Sequence, residues 1–122
     1  MPMTNAAIDT VILFATDLEG LSRFYVEALR VDEDEVVEED GHVGFELGEI
    51  YLGFDQSDGS HQHPGAVSFW VRVDDLDETY QRCLDLGATS LIEPVDRPWG
   101  DRLAAVHDPE GNVLGFSLRK EN

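Results

Sequence analysis

A repeated segment constrains the fold of this chain more than any other feature. The stretch Ala7–Leu29 (AIDTVILFATDLEGLSRFYVEAL) and the stretch Ala66–Ala88 (AVSFWVRVDDLDETYQRCLDLGA) share one pattern. Each begins with alternating apolar residues, continues with an Asp-Leu-Glu or Asp-Leu-Asp junction, and ends in an amphipathic segment about three turns long. Acids at such a junction cap a helix and stabilise its first turn. We therefore predict a strand followed by a helix, twice.

Three further strands are predicted after each helix. They span about Glu35–Glu39, His42–Leu47 and Ile50–Asp55 in the first half, and about Thr89–Val95, Arg102–His107 and Val113–Arg119 in the second. A polar, glycine-rich linker over residues 56–65 separates the halves. The prediction is a single α+β domain over residues 1–122, with a first module at about 7–55 and a second at about 66–119. Because one such module cannot bury both faces of its sheet, we expect the two modules to pair.

The charge of the chain excludes two classes of partner. It contains 26 acidic and 8 basic residues, for a formal net charge of -18, and Lys120 is the only lysine. Such a surface repels the phosphates of nucleic acid and of anionic lipid, so neither is expected as a partner. A solvated acidic surface on an ordinary folded domain is one explanation of this charge. The scarcity of lysine favours a second explanation, which is adaptation to a salt-rich cytoplasm. Because salt screens self-repulsion, we expect the stability of the fold to rise with salt concentration.

The sequence predicts a cytoplasmic location and a structural role for its single cysteine. No apolar run approaches the ~20 residues of a membrane helix, and the N-terminus has no basic region followed by an apolar stretch, so a cytoplasmic location is expected. The single cysteine, Cys83, can form no intramolecular disulfide. No base or positive field near it in the sequence would activate its thiol, so Cys83 is predicted to be structural.

The β-α-β-β-β order, repeated, resembles the vicinal oxygen chelate superfamily. This superfamily includes glyoxalases, extradiol dioxygenases, fosfomycin-inactivating enzymes and bleomycin-resistance proteins. The matching segments are FATDLEGLSRFYVEAL, VRVDDLDETYQRCLDLGA and the C-terminal block RPWGDRLAAVHDPEGNVLGF, which together extend the resemblance over nearly the whole chain. The resemblance implies that two modules curl into a mostly antiparallel, concave sheet around a ligand or metal pocket, with helices outside. It also implies a homodimer, which would cover open strand edges.

The superfamily's metal positions lack donors in this chain. Metal-dependent members place His, Glu or Gln at four inward positions, on the first and the last strand of each module. The corresponding residues here are Thr10, Gly53, Ser68 and Gly115. Two hydroxyls and two glycines do not supply the several donors that a divalent ion needs. We therefore predict that the chain holds no metal and no other cofactor.

Four histidines are the remaining candidate metal ligands. His61 and His63 form an H-x-H pair in the linker, but no cysteine or acidic motif of suitable spacing accompanies them. His42 begins a strand beside a turn and is expected to be exposed. His107 either satisfies carbonyls of the following turn or borders the pocket.

Side-chain alternation along the strands predicts the lining of a ligand pocket. The predicted lining residues are Thr10, Ile12, Phe14, Tyr51, Gly53, Ser68, Trp70, Arg72 and Gly115, with Trp99 and Arg102 at the mouth. The indoles of Trp70 and Trp99 could stack on a planar or cationic ligand. Arg72 meets either a ligand carboxylate or an internal partner, for which Glu46 and Glu93 are the candidates.

Three functions are compatible with such a pocket. The first is metal-free binding or sequestration of a small molecule, as in bleomycin-resistance proteins, whose acidic clefts bind a cationic drug. The second is a lyase, isomerase or dioxygenase-like enzyme with an atypical metal site or a general acid or base, for which the candidates are Glu46, Glu93, His107 and Tyr51. The third is an accessory subunit. No nucleophile with its base stands out in the sequence, so binding is predicted rather than catalysis.

Overall fold

The repeat folds twice into the same order of elements. A computed structural model describes residues 8–59 and 67–119. The first module consists of β1 (Thr10–Ala15), α1 (Leu18–Ala28), β2 (Val37–Glu39), β3 (His42–Leu47) and β4 (Ile50–Gln56). The second consists of β5 (Ser68–Arg72), α2 (Leu76–Asp85), β6 (Thr89–Asp96), β7 (Asp101–His107) and β8 (Val113–Arg119). No helix among these residues is long and apolar enough to span a membrane.

The predicted strands match the structure closely except for β2. Its predicted start at Glu35 is wrong, because the carboxylate of Asp32 accepts a hydrogen bond from the amide of Asp34 and begins a short 3-10 turn over Glu33–Glu35. The acids at the two helix starts also differ. Asp17 caps α1 by accepting from the amide of Gly20, whereas Asp75 makes no such cap to α2.

Each module forms one four-stranded sheet. The strand orders are β1-β4-β3-β2 and β5-β8-β7-β6, so the first and the last strand of each module are neighbours. These two strands pair in parallel, and the other pairs are antiparallel. The predicted α+β fold of two β-α-β-β-β modules is confirmed. Its topology places the four positions at which metal-dependent members carry ligands on adjacent strands, two within each sheet.

One hydrophobic core serves both modules. It contains the residues of β4 and β8 that face the helices, together with the apolar faces of α1 and α2. The ring of Tyr25 lies between the modules, with its centroid 5.1 Å from that of Phe54 and 6.1 Å from that of Phe69. Cys83 is fully buried in this core, and burial raises the pKa of its thiol to about 11. The thiol is therefore protonated at neutral pH, in agreement with a structural role.

The Asp-Pro-Glu-Gly-Asn turn joins the second module to the first. The buried carboxylate of Asp108 accepts hydrogen bonds from the hydroxyl of Tyr25 and from the amides of Glu110 and Asn112. The carboxylate of Glu110 in turn accepts from the backbone amides of Thr16 and Asp17, at the start of α1. This part of the C-terminal block is therefore a structural joint between modules.

Candidate functional site

Each sheet has one face against the helices and one face turned away from them. On β4, Leu52 and Phe54 are fully buried in the core, so Tyr51, Gly53 and Asp55 lie on the opposite side. We call the side of β1–β4 that is turned away from the helices the first open face. The corresponding side of β5–β8 is the second open face. Nine of the predicted lining residues lie on these faces by alternation alone: Thr10, Ile12, Phe14, Tyr51, Gly53, Ser68, Trp70, Arg72 and Gly115.

Trp70 explains why a glycine lies in the middle of β8. Trp70 and Gly115 are opposite in the register of β5 and β8, and the indole ring lies directly over the glycine. A Cβ at position 115 would overlap the ring. The indole nitrogen of Trp70 donates to the hydroxyl of Ser68 at 3.2 Å. Ser68 and Gly115, two of the four positions at which metal-dependent members carry ligands, therefore both contact the indole of Trp70.

Gly53 is covered in a comparable way on the first open face. A Cβ at this position would lie 2.7 Å from Cδ1 of Ile12 and 2.9 Å from Cε1 of His42. Within residues 8–59 and 67–119, no group of three or more His, Cys, Asp or Glu side chains is placed to hold a metal ion. The residues at the four family positions, with two hydroxyls and two glycines, do not fit a divalent ion. His61 and His63 lie outside the described residues.

The prediction that Arg102 lies at the pocket mouth is wrong. Arg102 is opposite Leu118 in the register of β7 and β8, so its side chain lies on the helix side of the sheet. Its Nε and Nη2 each donate to Asp77 of α2 at 2.9 Å, and its Nη1 donates to Asp96 at 3.1 Å. The hydrogen bonds from Arg102 lower the pKa of the Asp77 carboxyl. Arg102 therefore fixes α2 to the sheet.

Trp99 and Arg72 lie at the margins of the site. Trp99 is 66% exposed in the connection between β6 and β7, and the guanidinium of Arg97 lies 5.8 Å from its ring centroid. Arg72 forms no ion pair with Glu46 or Glu93 in the described structure, so that predicted alternative is wrong. Arg72 instead lines a cleft of about 200 Å³ between the modules, together with Arg30 and Arg82.

A hydrogen-bonded chain of three side chains lies on the first open face. Nδ1 of His42 lies 2.6 Å from Oδ1 of Asp55, and Nε2 of His42 lies 2.7 Å from the hydroxyl of Tyr51. The expectation that His42 is exposed is wrong, because only 23% of its side chain is accessible. The rings of His42 and Tyr51 are nearly parallel, with centroids 5.8 Å apart.

The environment of Tyr51 keeps its hydroxyl protonated. Burial raises the pKa of Tyr51, and the carboxylates of Glu39, Asp55 and Glu46 raise it further. The hydroxyl lies over Gly44, where a Cβ would overlap it. Gly44 is thus needed for the position of Tyr51.

The structure brings together only two of the four acid–base candidates that the sequence predicted. Tyr51 and Glu46 are opposite each other in the register of β3 and β4. His107 lies on the second sheet, opposite Val113, and Glu93 is exposed on β6. Sequence reasoning missed His42 and Asp55 as partners of Tyr51, although the register that follows from the tight turn between β3 and β4 would have placed them opposite each other.

The sequence of this chain matches a known protein family. The model of the glyoxalase-like domain family matches residues 7–116. This chain belongs to the glyoxalase-like domain family. Family membership confirms the resemblance to the vicinal oxygen chelate superfamily that the sequence motifs indicated.

Several solved structures share the glyoxalase-like fold of this chain. A glyoxalase/bleomycin resistance protein/dioxygenase family enzyme from Burkholderia phytofirmans is 19% identical, with a TM-score of 0.82 over 93% of this chain and 99% of its own. Lactoylglutathione lyase from Agrobacterium tumefaciens is 22% identical, with a TM-score of 0.72 over 94% of this chain and 95% of its own. TioX from Micromonospora is 21% identical, with a TM-score of 0.72 over 93% and 99%. At these identities the likeness concerns the fold.

Curated relatives match a shorter segment. Uncharacterized proteins of Mycobacterium bovis and Mycobacterium tuberculosis are 40% identical over 58 residues, which is 46% of this chain. The matched segment spans 38% and 34% of those proteins, respectively. The glyoxalase-like chain thus matches little more than a third of the length of these relatives.

Proposed function

We propose that this glyoxalase-like protein binds a small planar or cationic molecule on its open sheet faces, with no metal at the four family positions. The observation that supports this proposal is the placement of the Trp70 indole over Gly115. Where a metal-dependent relative carries a ligand side chain, this chain carries an aromatic surface. Trp70 is 43% exposed and Phe14 is 40% exposed, so both rings offer area to a ligand.

On the first open face, charge favours a cationic ligand over an anionic one. The first open face carries the carboxylates of Glu39, Glu46 and Asp55, and the described strands place no lysine or arginine on it. With a net charge of -18 for the whole chain, the field attracts cations and repels anions. A half-exposed apolar surface with a few polar groups is typical of small-ligand sites.

A homodimer is part of the proposal. Edge strands β2 and β6 present unpaired backbone groups, and the half-exposed rings of the open faces present apolar surface. A second copy could cover part of either, and a two-fold dimer would then carry two equivalent sites.

A ligand screen followed by titration of three proteins tests the proposal. Uncharged and cationic aromatic compounds are screened by thermal shift in high potassium chloride, and the best compound is titrated against wild type, Trp70→Ala and Trp99→Ala. We expect Trp70→Ala to weaken binding by about 1–3 kcal/mol, because the stacked ring is lost. Trp99→Ala makes the same change at the margin of the site and should weaken binding less than Trp70→Ala does.

The outcome that contradicts the proposal is a folded Trp70→Ala variant with unchanged affinity. If Trp70→Ala does not fold, Trp70→Phe keeps a ring over Gly115 with less stacking area. In that case the titration of Trp70→Phe decides, and affinity equal to that of wild type places the binding surface elsewhere.

A further inference from the structure

The chain Asp55–His42–Tyr51 has the geometry of a proton relay. When the Nδ1 proton of His42 is donated to Asp55 at 2.6 Å, the Nε2 lone pair accepts the proton of the Tyr51 hydroxyl at 2.7 Å. Both distances are short for hydrogen bonds to nitrogen. While it donates, the hydroxyl oxygen of Tyr51 keeps its lone pairs, which are available to a molecule on the open face because Tyr51 is only half-buried.

The internal repeat shows that the fold does not require this relay. Gly53 in β4 and Gly115 in β8 occupy equivalent positions, each between two fully buried residues of the core. Counting from them along the paired strands, the equivalents of Tyr51, Asp55 and His42 in the second sheet are Val113, Ser117 and Leu103. The second sheet thus forms with two apolar residues and a serine at these positions. A role in folding alone does not explain the three polar groups of the first sheet.

We propose that Asp55, His42 and Tyr51 form an acid–base site on the first open face, at which Tyr51 removes a proton from an uncharged or cationic carbon acid. This inference goes beyond ligand binding, because it assigns a reaction to one of the two faces.

The charges around Tyr51 select the substrate class. The titratable groups that face it are Glu39 from β2, Glu46 from β3 and Asp55 from β4, while β1 contributes the uncharged side chains of Thr10, Ile12 and Phe14. An anionic substrate would be repelled by three carboxylates, whereas a neutral or cationic one is not. Because its pKa is raised, the hydroxyl of Tyr51 is protonated in the resting state. It therefore passes its own proton to His42 as it accepts one from the substrate, and it does not act as a phenolate base.

The proposed step balances without an oxidant. The C–H proton of the substrate moves to Oη of Tyr51 while the proton of that hydroxyl moves to Nε2 of His42. The carboxylate of Asp55 stabilises the imidazolium that forms. The electron pair of the C–H bond stays on the substrate, where it is delocalised or expels a leaving group. Transfer of the proton from His42 to water or product restores the resting state.

The probe 5-nitrobenzisoxazole tests this proposal independently of any natural ligand. It is an uncharged carbon acid; removal of its ring proton breaks the N–O bond and releases a coloured phenolate. We expect wild type to catalyse this elimination well above the rate in the same buffer without protein. His42→Gln and Tyr51→Phe should each lower the rate by about 100-fold or more, the usual contribution of a positioned general base.

The control is His107→Gln, the same change at a histidine outside the relay, and it should react like wild type. Retention of the wild-type rate in Tyr51→Phe would overturn the proposal, because His42 would then act without Tyr51. A wild-type rate no higher than that of His42→Gln would overturn it as well. If His42→Gln does not fold, Asp55→Asn interrupts the same relay and the same comparison applies. Failure here leaves the ligand titration of Trp70 variants unaffected, so the two proposals fail separately.

Discussion

Replacing Asp108 by alanine is expected to lower the free energy of unfolding by about 3 kcal/mol or more. The carboxylate of Asp108 is buried and accepts four hydrogen bonds, from the hydroxyl of Tyr25, the amides of Glu110 and Asn112, and Nδ2 of Asn112. Without it, the hydroxyl of Tyr25 remains buried with no acceptor, and the turn that holds Glu110 against α1 loses its centre. Hydrogen bonds to a charged group contribute about 1.5–3 kcal/mol each, so several lost together give a large effect.

Denaturant unfolding in potassium chloride measures this effect, with two variants for comparison. Tyr80→Phe removes one partly buried hydroxyl, which donates to Ser90 at 2.6 Å, and should cost about 1 kcal/mol. Tyr25→Phe removes a single bond from Asp108 and should lie between the two. A loss in Asp108→Ala no larger than that in Tyr80→Phe would show that the turn does not join the modules.

Gly115→Ala is expected to destabilise wild type by about 1–3 kcal/mol, the usual cost of overpacking. The reason is that the added Cβ overlaps the Trp70 ring. Elsewhere in a strand interior, replacing glycine by alanine is favourable by about 0.5–1 kcal/mol, because the unfolded chain has less freedom to lose. Once the ring is removed by Trp70→Ala, the same change at Gly115 should therefore become neutral or stabilising.

The two single variants and the double variant form a thermodynamic cycle, measured by denaturant unfolding. A coupling energy of about 1–3 kcal/mol between positions 70 and 115 is expected. A cost of Gly115→Ala that is the same with and without Trp70 would mean that the indole does not occupy the space above β8.

The order of strands and helices in this chain could be predicted because it follows from the internal repeat. Alternating apolar residues and an acidic junction occur at corresponding places in Ala7–Leu29 and Ala66–Ala88, and each pattern depends on local sequence alone. The wrong start of β2 has an equally local cause. Asp32 competes for a backbone amide and replaces the first residues of the strand by a 3-10 turn.

The relay could have been predicted from register. Gly48 and Glu49 form the turn between Leu47 and Ile50, which are paired. Counting back from this pair places Glu46 opposite Tyr51, and His42 opposite Asp55. A histidine and an aspartate that face each other across an antiparallel pair are close enough to interact.

Long-range contacts could not be predicted in this way. The side of the sheet on which Arg102 lies depends on its register with Leu118, and β6 and β7 also pair with register shifts. The Asp-Pro-Glu-Gly-Asn segment reads as a turn, but the partner of Asp108 is Tyr25, 83 positions earlier in the chain. No local pattern indicates that such a turn holds two modules together.

The metal content of the purified protein tests the central claim most directly. Cells are grown with zinc, nickel, iron and manganese, the protein is purified without chelator, and the metals are measured per chain by mass spectrometry. Because Thr10, Gly53, Ser68 and Gly115 offer two hydroxyls and no other side-chain donor, we expect far less than one ion per chain. One ion per chain that survives dialysis against chelator, and is lost when a residue of either open face is substituted, would contradict the account.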